Sequence, residues 1–248
     1  MPETSATATL PSAEVYELEC DVLPWARVLA AAVDWVTEHA GWGWHVVDYM
    51  CGTGRLLYDV STRRPDLRLA GCTLDPKSYV DYANRRIRGA PVTYCDAFAY
   101  APASAPDIIL CTGGLHHLCR ADQPRLIAKV AAELRPGGWF IVGEEVIGAF
   151  ANEVERRRAV LELFGGLASW SVAESAPDSV LSAVMDILRN DLFERGEYKT
   201  HLEALRSMLE SHFTIEEVVP VWTGVDSAER YGDYVVVCRK ASSSGEST

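Results

Sequence analysis

At 248 residues, with 48% hydrophobic and 23% charged side chains, the chain has the make-up of an ordinary folded protein long enough to bury a full core. Its net charge of −12 argues against a nucleic-acid backbone or an anionic membrane surface as partner, because Lys and Arg hold both. Seven cysteines without a Cys-x-x-Cys pair suggest a reducing compartment. The first residues lack a basic, then apolar, leader pattern, and no apolar run approaches the ~18 residues that span a bilayer. The expectation is a cytoplasmic protein with no membrane partner.

In chain order, residues 1–12 read as a disordered tail and 13–44 as a helical cap, with Leu23, Val28, Leu29, Val33 and Val36 as its apolar positions. Strands are then predicted near 45–49, 68–74, 91–95, 107–112 and 138–146, alternating with helices near 54–62, 77–88 and 122–134. Such alternation implies an α/β fold with a parallel sheet covered on both faces. Residues 150–212 form a helical insertion, too long for one crossover helix. Within it, Asn152 to Glu155 and Thr200 to Glu203 read as capping boxes, and Gly165-Gly166 and Gly196 as stops. Arg156-Arg157-Arg158 reads as a solvated helix face. Two β-rich runs, 213–222 and 231–240, close the chain, and their short connection favours antiparallel pairing. A Ser-rich tail, 241–248, follows.

The most informative stretch is Val46-Val47-Asp48-Tyr49-Met50-Cys51-Gly52-Thr53-Gly54, a buried strand, a turn of small residues and a helix start. Gly52 and Gly54 let a ligand lie against bare backbone, and the opening N–H groups of the helix face it. A dinucleotide fingerprint would want a third glycine where Leu57 stands, and no Gly-Lys-Ser/Thr follows to make a phosphate loop. The stretch resembles the nucleotide-binding loop of class I, Rossmann-like, S-adenosylmethionine-dependent methyltransferases, with Met50 in place of that family's usual first glycine. The resemblance covers about 45–150 and 213–240. It implies a seven-stranded, mostly parallel sheet with helices on both faces, the last strand antiparallel and a helical insertion between strands five and six. The core would be 45–149 with 213–240.

The same resemblance implies S-adenosylmethionine as cofactor and S-adenosylhomocysteine as product. Asp48 would approach the methionine amino group, with Met50, Cys51, Gly52 and Gly54 around it. Asp75 would take the ribose hydroxyls, or Thr73 would do so while Asp75 caps the next helix. Asp96, Ala97 and Phe98 would clamp the adenine, and Thr112 would end strand four beside the cofactor. Gly113-Gly114 would let a substrate approach the backbone. His116 and His117 offer an imidazole able to take a proton, and of Glu144 and Glu145 only one can face the pocket. The catalytic candidates are therefore His116, His117 and Glu144. No metal is expected, because the acids that metal-dependent relatives place after strand four are absent. The acceptor would be a small molecule methylated on oxygen, nitrogen or carbon. Alternatives are a non-methyl reaction of the same cofactor, a cyclisation or decarboxylation, or a non-catalytic cofactor-binding partner. The insertion would roof the pocket or make a homodimer contact.

Overall fold

The computed structural model describes residues 12–83, 90–223 and 231–242. The two tails expected to be disordered lie outside these residues, except Ser12, which caps the first helix, and Ala241 and Ser242. Seven strands make one sheet: β1 His45–Tyr49, β2 Arg68–Thr73, β3 Val92–Tyr94, β4 Ile108–Thr112, β5 Trp139–Val146, β6 Thr214–Thr223 and β7 Gly232–Arg239. Their order is β3-β2-β1-β4-β5-β7-β6, with β7 antiparallel to both neighbours and the other pairs parallel. The strand reversal beside β1 and β4 opens a crevice at their carboxyl ends, where open α/β sheets take ligands.

The period-2 alternation of the central strands sorts their side chains onto two faces. Val46, Ile108, Leu110, Ile141, Val235 and Val237 point to one core, and Val47, Ile109, Cys111, Phe140, Val142 and Val236 to the other. Helices α1 Ala13–Val22, α2 Trp25–His39 and α3 Arg55–Arg63 serve the first face, together with α6 Glu153–Ala173 and α7 Asp178–Leu192. Helices α5 Gln123–Glu133 and α8 Leu202–Glu210 cover the second. The short helix α4, Pro76–Ser78, runs on into a π-helical turn, Tyr79–Ala83. The rest of the helix expected to residue 88 lies outside the described residues.

Several sequence expectations change on packing grounds. Gly165 and Gly166 do not stop a helix but lie inside the 21-residue α6. A Cβ on Gly166 would sit 3.1 Å from Trp222 and from Tyr231, so that glycine makes room for two aromatic rings. Arg156 is buried, not solvated; its guanidinium donates to the carbonyls of Asp191 and Leu192 and pairs with Glu153. It thereby satisfies open carbonyls at the end of α7 and ties the insertion together. The second capping box is displaced by one residue, because the His201 ring, not Thr200, accepts from Ala204 N. At the first, Asn152 accepts from the Val154 and Glu155 N–H groups, while Glu155 reaches back to Ala151 N. Among the described residues no helix is long and apolar enough to cross a membrane.

Candidate active site

The loop after β1 opens the site. Met50 adopts φ 60°, the left-handed conformation that a glycine would take without strain, and Gly52 (φ 52°) and Gly54 (φ 74°) share it. Gly54 precedes α3 with no side-chain cap. A Cβ on Gly52 would meet only the Tyr16 ring, at 3.8 Å. Cys51 is buried, and its N–H donates to Cys72 O at 2.8 Å, fixing the loop to β2. Asp48 ends β1 almost wholly buried; its Oδ1 has no hydrogen-bond partner, and burial pushes the carboxyl well above its ordinary pKa. A buried, unsatisfied carboxylate is costly unless a donor or cation joins it.

Helix α1 lies over this loop. Glu17 bonds the Thr53 hydroxyl and pairs with Arg55, which also reaches Asp21 and Asp59. Tyr16 is half-buried against the core, and its phenol is pushed up by burial, then by Cys20 and Asp48. Sequence reading missed Tyr16, Glu17 and Glu19 as site neighbours. Nothing in α1's own pattern marks which side of it meets the glycine loop.

The remaining cofactor-side candidates divide. Asp75 caps the short helix that Pro76 opens: its oxygens accept from Lys77 N, Ser78 N and the Ser78 hydroxyl, and Thr73 Oγ1 accepts from Asp75 N. This is the capping arrangement that the sequence offered beside the ribose role, and the acid-Pro order favours it. Asp96 stays exposed after β3, with Oδ1 accepting from Phe98 N at 2.7 Å, while Ala97 is buried and Phe98 half-buried. Thr112 is buried at the end of β4, packed against Gly143. Gly113 and Gly114 are close-packed positions. Their missing side chains leave room for Trp25, 2.9 Å from a Cβ on Gly113, and for Cys111 and Met50 at 2.8 and 3.2 Å from one on Gly114.

Across the crevice the chemistry changes. A 3₁₀ turn, Leu115–His117, carries both histidines. Glu144 on β5 turns inward and accepts from Leu115 N at 2.8 Å and from His116 Nδ1 at 2.6 Å. A carboxylate only accepts, so Nδ1 carries a proton and Nε2 holds the lone pair when the ring is neutral; burial opposes the charged ring, but Glu144 and Glu197 raise its pKa above the ordinary value. Nε2 lies 3.6 Å from Glu197, and His117 Nδ1 lies 3.2 Å from the other Glu197 oxygen and from Gly196 O. Glu197 is buried; burial would raise its pKa, but Lys199, then His117, hold it well below the usual carboxylate range. Lys199, itself fully buried, pairs with Glu197 at 2.8 Å, Glu145 at 3.3 Å and Asp191 at 3.8 Å.

The segment bearing these residues is bound to the histidine turn. Tyr198 N donates to His116 O at 2.7 Å, and Gln123 Nε2 donates to Leu118 O and Tyr198 O. It is this segment that reaches the histidines. Helix α7, by contrast, packs on α6 and α1. Glu197 and Lys199 escaped sequence reading because Glu194 to Lys199 reads as a solvated charged loop, and burial of charge has no local signature.

Residues 46–138 match the model of the family described as "Methyltransferase domain". Over those residues the chain is similar to a methyltransferase domain, on a sheet of the Rossmann-like methyltransferase topology. Two curated trans-aconitate 2-methyltransferases, from Acidovorax sp. (strain JS42) and Acidovorax ebreus (strain TPSY), are each 31% identical over 98 residues, 40% of this chain. The matched stretch spans 37% of those relatives' length, so it compares this methyltransferase domain alone. Among solved structures, the N-methyltransferase NodS from Bradyrhizobium japonicum WM9, in complex with S-adenosylhomocysteine, superposes with TM-score 0.58 at 15% identity, covering 90% of each chain. The 1,6-didemethyltoxoflavin-N1-methyltransferase of Burkholderia thailandensis superposes with TM-score 0.56 at 18% identity, over 86% of this chain and 78% of that one. At such identities the likeness is one of methyltransferase fold.

Proposed function

We infer that the protein is an S-adenosylmethionine-dependent methyltransferase acting on a small molecule whose acceptor atom, oxygen or nitrogen, must shed a proton. The observation that carries the reading is the pairing, at the carboxyl ends of the central strands, of an unsatisfied buried Asp48 leading into a glycine loop with a histidine turn ordered by Glu144. The residues fit the cofactor: the Asp48 oxygen without a partner suits an ammonium, and the space at Gly52 suits a ligand lying on the backbone. Asp48, Met50, Cys51, Gly52 and Gly54 would hold its amino-acid end, and Asp96, Ala97 and Phe98 its adenine. When bound, the cofactor supplies a methyl group on a sulfonium that leaves as a neutral thioether.

The chain's own contribution is then mostly positioning, for which roughly 7–11 kcal/mol is available. His116, its ring fixed by Glu144 and its Nε2 lone pair free of Glu144, supports removal of the acceptor's proton, with His117 beside it. Phenols, carboxylic acids and amines are the acceptor classes to assay. The test is to incubate the full chain with S-adenosylmethionine and a panel of such acceptors and to measure S-adenosylhomocysteine release. Turnover with one class is the expected result. Saturable cofactor binding without release against any acceptor would favour the scaffold reading. A calorimetric signal with NAD and none with S-adenosylmethionine would overturn the cofactor assignment.

A further inference from the structure

We propose that His116, His117 and Glu197 form a site for a divalent transition metal. One ligand atom from each residue lies within 4.8 Å of the others; His117 Nδ1 is 3.2 Å from Glu197 Oε1, and His116 Nε2 is 3.6 Å from Oε2 of the same carboxylate. A tetrahedral ion with bonds of ~2.1 Å spaces its ligands about 3.4 Å apart, so the trio would draw together by about an ångström to close on one ion. Two imidazoles and one carboxylate suit zinc or ferrous iron, whereas magnesium and calcium prefer oxygen ligands throughout.

The surroundings are those of a supported metal site. Glu144 takes the Nδ1 proton of His116 at 2.6 Å and turns Nε2 toward Glu197, the carboxylate–histidine–metal arrangement. Lys199 holds Glu197 Oε2, the oxygen nearer His116, at 2.8 Å, so Oε1, the oxygen nearer His117, is the one that would coordinate once its contact with His117 gives way to the ion. Charge also favours a cation. Glu145, Asp191 and Glu197 gather on the single ammonium of Lys199, and both Asp191 oxygens lack a hydrogen-bond partner. His117, the most exposed of the three ligands with 29% of its side chain accessible, offers the route of entry. The ion would carry one or more open positions, so an acceptor's hydroxyl or a water could join it and become more acidic. The histidines then act as ligands, and Glu144 as a positioning residue.

The inference concerns metal binding and does not depend on the acceptor. The test uses the full chain, stripped with a chelator, titrated with Co²⁺ and followed by absorption, then with Zn²⁺ by calorimetry. The expected result is one Co²⁺ per chain, with the visible bands of a nitrogen and oxygen site, no thiolate charge-transfer band, and displacement by Zn²⁺. Glu144→Gln should weaken Co²⁺ by ~10–100-fold, the usual cost of an outer carboxylate, and Glu197→Gln and His117→Ala by more. Cys119→Ser, at the exposed thiol, should bind as the parent does. Absence of stoichiometric binding, a thiolate band, or unchanged affinity in the near-isosteric Glu197→Gln would each overturn the site, even if His117→Ala fails to fold. S-adenosylmethionine titrated into the same stripped protein reads the cofactor half alone. Metal failure with intact cofactor binding leaves the methyltransferase reading standing, whereas loss of cofactor binding overturns that reading by itself.

Discussion

The two walls of the crevice are built on different physics. The wall proposed for the cofactor runs through nine contiguous positions, Val46 to Gly54, and works by absence: missing side chains, left-handed backbone and a carboxylate with an unsatisfied oxygen. The wall proposed for the acceptor gathers His116, Glu144, Glu197 and Lys199 from the histidine turn, strand β5 and the segment after α7, and works by excess, with charges buried against one another. A wall made of backbone depends on local conformation. A wall made of buried ion pairs depends on every partner, because removing one strands the rest in a medium that solvates them poorly.

That contrast is most easily broken at Lys199. Lys199→Met keeps the stem but removes the ammonium that Glu197, Glu145 and Asp191 share, leaving Arg156 beside Asp191 and the histidines beside Glu197, and should cost about 3–5 kcal/mol in chemical denaturation. A loss under ~1 kcal/mol would mean that solvent screens the cluster and that the acceptor wall is not the charge-held structure described. His116→Ala separates the walls in function. Turnover should fall by about 10²–10⁴-fold while S-adenosylmethionine affinity stays within twofold, roughly, of the parent. Equal losses in both would show that the two walls share residues.

Gly52→Val tests the other wall. It puts a β-branched side chain at φ 52° where backbone should face ligand, at a strain of about 1–2 kcal/mol, and should weaken cofactor binding more than ~tenfold. An unchanged dissociation constant in the folded variant would move the cofactor elsewhere. The smallest effect is at Glu19, where α1 joins the walls. Burial, then Glu145 and Glu197, raise its carboxyl from an ordinary 4.5 to about 8. A folded-state pKa above the unfolded one gives stability that is whole below 4.5 and is lost as pH rises through about 8. Glu19→Gln cannot ionise, so the Tm of the parent should fall relative to that variant across this window; parallel curves would place Glu19 outside the charged cluster.

How legible each region was in the sequence follows from the same difference. Alternating apolar pairs such as Val46-Val47 and Ile108-Ile109 announce two-faced strands, because the side-chain period of a strand is written in consecutive residues. The strand boundaries fell within a residue or so of the expected ones, and the antiparallel end followed from a short connection. The glycine loop, too, was legible, since its conformation is a local property.

By itself, then, the sequence determined the alternating α/β layout, the seven strands and the Asp48-to-Gly54 loop, all of which rest on short-range periodicity and backbone sterics. Only tertiary structure decided the rest. Gly113, Gly114 and Gly166 became packing positions because Trp25, Met50 and Trp222 arrive from elsewhere in the chain. Arg156 and Lys199 became buried charges because their partners arrive through the fold of the insertion. A glycine reads the same whether it faces a ligand or a tryptophan, and a lysine reads the same in water or in a core. Which of these holds is fixed by neighbours distant in sequence, whose approach no local pattern records.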